Sequence, residues 1–189
     1  QFDASRTQAG QIKIVRPWAD TSTFQPIKKS ANGFAQQNDQ VDKITIMYSG
    51  NMGLGHDIET MLAAAEQLQE ETRLHFMFIG AGPKWQLVAD AIKARGLPNV
   101  TLLPWQDESV IPCSLATADI ALVSLEPEMA ALAIPSKAFY FRAAGAPLFV
   151  LSVPGTELAT IIDEFDCGWV RNPGDVEGLT KILRAVSRG

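Results

Sequence analysis

Ile44-Thr45-Ile46-Met47-Tyr48-Ser49-Gly50-Asn51-Met52-Gly53-Leu54-Gly55-His56-Asp57 runs from an apolar stretch, through three glycines, to an aspartate that can cap a helix. Residues 44–47 are largely apolar without strict alternation, the pattern of a parallel strand covered on both faces. The glycines let backbone turn or come close to a neighbour, and Asp57 suits the N-cap position of a helix. Beyond it Ile58, Met61, Leu62, Ala65 and Leu68 recur at three- and four-residue steps, with Glu66, Glu70 and Glu71 off that face. That period predicts an amphipathic helix. Strand, glycine loop and helix together are the opening unit of a parallel α/β fold.

The unit repeats along the chain. Apolar runs at about 43–49, 75–80, 100–103, 119–125, 147–152 and 168–171 alternate with helical stretches. A helix over about 84–96 sets Leu87, Val88, Ala91 and Ile92 on one side and ends at Gly96 and Pro98. Another, over about 175–187, comes after the turn Asn172-Pro173-Gly174-Asp175, with Asp175 as its N-cap. The prediction is an α/β, Rossmann-like, doubly wound parallel sheet of about six strands, with helices on both faces and right-handed crossovers. Upstream, residues 1–42 are patchy. Ile12 to Val15 reads as a short strand, and Gly33 with Gln36 to Gln40 as an exposed loop.

Composition sets the outer limits. The 189 residues are 47% apolar and 20% charged, ordinary for a globular α/β chain, with a formal net charge of −5. An acidic chain argues against a broad nucleic-acid or anionic-membrane surface. The two cysteines, Cys113 and Cys167, form no CxxC or Cys/His cluster and read as reduced thiols. No apolar run reaches the length of about 18 residues that a membrane helix needs. No group of residues has metal-ligand spacing.

Ligands of open α/β sheets bind at the carboxyl ends of the strands, and the sequence offers several such ends. Ile134-Pro135-Ser136-Lys137 opens a short helix that stops at Gly145 before Pro147. Helix-start amides, a hydroxyl and an ammonium in one place suggest a phosphate grip, so a nucleotide or phosphorylated ligand leads. The Gly50–Gly55 loop has the spacing G-x-x-G-x-G rather than that of a dinucleotide site, and reads as a close backbone approach to a ligand, with a helix-entry turn as the lesser alternative. Gly80-Ala81-Gly82-Pro83 is either a turn or a second close approach to ligand. Pro104-Trp105-Gln106-Asp107 could wall a base, or Trp105 could pack. Glu126 and Glu128 are a carboxylate pair or two solvated charges. His56 could meet phosphate or be structural, whereas His75, opening a strand, reads as structural.

These pieces, in order, resemble the C-terminal, nucleotide-sugar-binding domain of GT-B-fold glycosyltransferases of the group 1 family. The resemblance runs from about Lys43 to the end. It is carried by Tyr48 to Gly53, Phe78 to Pro83, Pro98-Asn99-Val100, Ala118-Asp119-Ile120, Pro135-Ser136-Lys137, Ala143 to Pro147, Cys167-Gly168-Trp169 and Pro173-Gly174-Asp175. Val15 to Thr21 with Phe24-Gln25-Pro26 is similar to the interdomain linker of such enzymes. Residues 1–42 would then be that linker and the end of a missing N-terminal domain, and 43–189 the nucleotide-sugar-binding domain.

The resemblance implies a retaining, metal-independent glycosyltransferase half with a nucleotide-diphosphate sugar, UDP-linked, as substrate and no cofactor. It points to bacterial surface polysaccharide or glycoconjugate synthesis. The acceptor would be held by the missing half, without which the chain would be inactive. The location implied is cytoplasmic, and any membrane association, peripheral at the inner membrane, would come through that half. Lys137 would stabilise the leaving diphosphate. Gly50, Asn51, Met52, Gly53, His56, Gly80, Gly82, Pro104, Ser136 and Tyr140 would surround the donor. The pattern departs from the family where an arginine and a lysine on the diphosphate are replaced by Asn51 and His56. The family's two glutamates fall at Leu132 and Tyr140. The rival readings are half of a UDP-sugar 2-epimerase and a non-catalytic nucleotide-sugar-binding domain.

Overall fold

Residues 17–125 and 134–189 are described by the structure, a computed structural model. Its strands are β1 (Ile44–Asn51), β2 (Leu74–Ala81), β3 (Val100–Leu103), β4 (Ile120–Ser124), β5 (Leu148–Leu151) and β6 (Gly168–Arg171). All pair in parallel, in the order β3-β2-β1-β4-β5-β6. The chain winds outward from β1 to β3, then returns to the other side of β1 and winds outward to β6. The reversal leaves a crevice between the carboxyl ends of β1 and β4.

Helices cover both faces, which is why the strands lack strict alternation. Ile46, Tyr48, Phe76, Phe78, Leu122 and Phe149 pack beneath α2 (Ile58–Gln67), α3 (Trp85–Arg95) and α7 (Val176–Arg188). Their strand neighbours Met47, Met77, Ile79, Val123 and Val150 pack on the opposite side. There they meet α1 (Gly33–Gln37), α4 (Ile111–Leu115), α5 (Lys137–Ala143) and α6 (Glu157–Phe165). The apolar face expected of α2 is buried from Ile58 to Leu68. In α3, Val88 and Ala91 are buried but Leu87 is exposed, a correction to the expected face.

Both aspartate caps form. Asp57 accepts from the Thr60 amide at 2.9 Å, and its second oxygen takes the Thr60 hydroxyl and the Gly174 amide. One buried carboxylate thus starts α2 and fixes the turn ahead of α7. Asp175 caps α7 through the Gly178 amide at 2.8 Å.

Gly33, Gln36, Gln37 and Asp39 are exposed as expected, but Gly33 to Gln37 form a helix rather than a loop and Gln40 is buried. Asn32 caps α1 by accepting from the Phe34 amide at 3.0 Å, while its Nδ2 donates to the Cys113 carbonyl at 2.8 Å. Phe34, Ala35 and Gln40 are buried. Ahead of them, Lys29 Nζ bonds the Lys43 carbonyl, the Thr45 hydroxyl and the Asp119 carboxylate. The segment therefore clamps the amino end of β1 to that of β4. The expected strand at Ile12 to Val15 lies outside the described residues.

Candidate functional site

A cleft of about 950 Å³ opens at the carboxyl ends of β1, β2 and β4, at the point where the strand order reverses. Ser49, Gly50 and Asn51 end β1 there, Ile79 comes from β2, and Leu125 follows β4. Pro135, Ser136, Lys137 and Tyr140, at the start of α5, form one side, and Trp105, Gln106 and Glu108, after β3, another. Trp18, Asp20, Thr23 and Phe24 add a further side, and His56, Ile111, Pro112, Ser114 and Leu115 complete it.

Lys137 is the lone lysine or arginine among the described residues that line this cleft. Its Nζ is buried, has no hydrogen-bond partner among the described residues, and lies 3.9 Å from the centre of the Tyr48 ring. Burial pushes its pKa down to about 7. An ammonium held against an aromatic face, short of acceptors, is a charge waiting for an anion. Gly50 leaves it room: a Cβ there would stand 2.9 Å from Nζ.

His56 adds no second cation. Its Nδ1 is 2.6 Å from the Ser124 carbonyl, which can only accept, so Nδ1 carries the proton and Nε2 offers a lone pair. Burial, then the charge of Lys137, holds its pKa below the usual imidazole value, opposed by the bond to Ser124. Ser124 also receives the Asp57 amide through its hydroxyl at 2.7 Å, so the glycine loop is tied to β4 across the crevice. Tyr140 lies against Phe24, with ring centres 4.8 Å apart.

Of the expected site residues, the structure brings together Gly50, Asn51, His56, Ser136, Lys137 and Tyr140 in one cleft. Met52, Gly53, Gly80, Gly82 and Pro104 are not among its lining, and most have other roles. The Met52 side chain is fully buried and its amide donates to the Ala81 carbonyl at 2.7 Å. A Cβ on Gly80 would stand 2.0 Å from the Gly50 carbonyl oxygen, and one on Gly82 would stand 2.5 Å from the Asn51 side chain. The approach of β2 to the end of β1 by itself requires glycine at 80 and 82. The Pro104 carbonyl accepts from the Gln106 side chain. Ser136 precedes α5 but its hydroxyl makes no cap bond. His75 is structural, its Nε2 2.8 Å from the Thr101 hydroxyl. Glu126, Glu128 and Leu132 lie outside the described residues.

Trp18, Asp20, Phe24 and Glu108 escaped the sequence-based reading of the site. The signal was faint: two aromatic residues inside a polar segment that otherwise reads as a linker.

The family model described as glycosyl transferases group 1 matches residues 43–188. The chain belongs to the glycosyl transferases group 1 family. Two curated relatives agree. The chain is 30% identical, over 93% of its length, to a probable glycosyltransferase, WbjE, of Pseudomonas aeruginosa. It is 29% identical, over 88% of its length, to WcaI of Escherichia coli K12, a putative colanic acid biosynthesis glycosyl transferase. It spans 44% and 42% of those proteins, less than half of each. In fold it is similar to Anabaena Alr3699/HepE, solved with UDP-glucose, at a TM-score of 0.76 and 14% identity. That likeness covers 96% of this chain and 49% of the other. The sheet and helices are thus one half of a GT-B architecture. Among the described residues no helix is long and apolar enough to cross a membrane.

Proposed function

We propose that this chain is the donor-binding half of a retaining, metal-independent glycosyltransferase that uses a UDP-linked sugar in bacterial surface polysaccharide synthesis. The observation that carries the reading is the buried ammonium of Lys137, with no hydrogen-bond partner among the described residues, in the crevice between β1 and β4. Sugar transfer from a nucleotide donor leaves a nucleoside diphosphate, and negative charge grows on it as the glycosidic bond breaks. A fixed cation aimed at that charge lowers the barrier without any reorganisation at the moment of reaction. Lys137 supplies that cation, and Gly50 lets it reach the cleft. Tyr48 shields it from water. Neutral His56 contributes an acceptor for a donor hydroxyl rather than a contact to phosphate.

The polysaccharide role is supported by the colanic acid assignment of the Escherichia coli relative, and the UDP preference by the nucleotide in the Anabaena complex. The acceptor would be bound by a second half that the chain does not include. The cleft offers a tyrosine, Tyr140, where the family places a glutamate, and this favours one second reading: nucleotide-sugar binding without catalysis.

Thermal shift with UDP, GDP, ADP and NAD tests the proposal. UDP is expected to stabilise the chain most. Stabilisation by NAD alone, or by no nucleotide, would sink it. UDP binding without sugar transfer by the full-length protein would select the non-catalytic reading.

A further inference from the structure

The cleft holds two carboxylates among its described lining residues, Asp20 and Glu108, and their surroundings differ sharply. Asp20 is already engaged: one oxygen accepts from the Ser22 amide at 2.9 Å and from the Ser22 hydroxyl, the other from the Thr23 hydroxyl at 2.8 Å. Those three bonds hold its pKa below the usual carboxylate value and occupy most of its lone pairs. The Glu108 carboxylate makes no hydrogen bond or ion pair among the described residues and stands exposed on the turn that enters α4. It is the free carboxylate among the described residues that line the cleft.

Its placement matters as much as its freedom. Lys137 approaches the end of β1, whereas Glu108 follows β3, two strands further along the sheet. Two strand spacings are about 10 Å, a separation that a nucleoside diphosphate lying across the strand ends bridges from its phosphates to its nucleoside. Two other polar side chains of this part of the cleft are engaged: the Gln106 amide donates to the Pro104 carbonyl and the Ser114 hydroxyl to the Ile111 carbonyl. A ribose offers two adjacent hydroxyl donors, and a carboxylate accepts both in a charge-assisted pair of bonds.

We propose that Glu108 anchors the ribose of the donor nucleotide, its carboxylate accepting from the 2′- and 3′-hydroxyls. The assignment rests on the proposed donor-binding reading and deepens it. It gives this chain a ribose contact from the loop after β3, replacing the one that Tyr140 cannot make as an anion.

Isothermal titration of UDP and 2′-deoxy-UDP into the chain and its Glu108→Gln and Asp20→Asn variants tests it. The unmodified chain should prefer UDP by about 5- to 10-fold, the worth of a charge-assisted bond at an exposed position. Glu108→Gln should bring the two ligands within about twofold, weakening UDP more than 2′-deoxy-UDP, which loses only its 3′-hydroxyl contact, and Asp20→Asn should keep the preference. Undiminished preference in Glu108→Gln, or its loss in Asp20→Asn, would overturn the assignment while UDP binding persists. If UDP does not bind the unmodified chain at all, the donor-binding reading falls and takes the ribose anchor with it.

Discussion

Lys137 Nζ stands 3.9 Å from the centre of the Tyr48 ring, and the Tyr48 hydroxyl in turn donates to the Asn51 carbonyl at 2.7 Å. The ring that shelters the lysine is therefore braced by the loop that the sequence marks as the first ligand contact. Burial also raises the Tyr48 phenol above its usual pKa, so it stays neutral and its face stays available to the amine.

Removing the amine should separate binding from stability. Lys137→Met takes away a buried polar group with no hydrogen-bond partner among the described residues, so the free chain should gain about 1–3 kcal/mol. The same change should weaken UDP binding about 10- to 100-fold, the worth of one charge-assisted contact. Chemical denaturation and titration calorimetry on one preparation check both. A variant that is less stable, or binds UDP normally, would contradict the geometry.

The pH dependence arises from the same residue. Its pKa falls from 10.5 in the unfolded chain to about 7 in the folded one. Between those values the unfolded state holds more protons, so stability rises with pH across that window; below about 7 both states are charged and the burial cost is fully present. Lys137→Met should abolish this part of the slope. Phosphate raises the lysine's pKa, so UDP affinity should instead fall as pH climbs above about 7, by up to tenfold per unit. Calorimetry at pH 8 in buffers of different ionisation heats should register uptake of about one proton.

The two glycines at matching positions of β1 and β2 should respond differently. Gly80→Ala drives a Cβ into the Gly50 carbonyl, a backbone clash at φ +140°, and should cost about 3 kcal/mol or more in stability. Gly50→Ala meets the flexible end of Lys137 at the same φ. It should cost about 1–2 kcal/mol yet reduce UDP binding about as much as losing the amine. Thermal melts paired with nucleotide titration distinguish the two cases.

Asp57→Ala should destabilise the chain by about 2–3 kcal/mol, since a buried carboxylate that both caps α2 and receives the Gly174 amide is lost. Hydrogen exchange should speed up at the start of α2 and at the turn before α7 together. Exchange confined to α2 would show that the two are not linked through this side chain.

The strands were legible because doubly covered parallel strands need unbroken apolar runs, as at Phe76 to Ile79, and the caps at Asp57 and Asp175 because capping is local chemistry. What escaped depends on contacts distant in sequence. Five-residue α1 has too few turns to show a period, and Asn32 reveals its role only through Cys113 and Thr117, some eighty residues away. Gly80 and Gly82 carry the same letters whether a ligand or a neighbouring strand approaches them. Lys137 was legible as a charge near a helix start, but its lack of a partner was not, because only the fold decides what surrounds an amine.

The family signature begins at Lys43, yet Phe34 and Ala35 sit in the core below β1, Phe24 braces Tyr140, and Lys29 joins Asp119. The span of the family model and the unit of folding thus have different boundaries in this chain. A polypeptide trimmed to that span would uncover one apolar layer, strand Asp119 without its cation and remove a wall of the cleft. A fragment meant to keep this fold should therefore retain at least Pro17 onward.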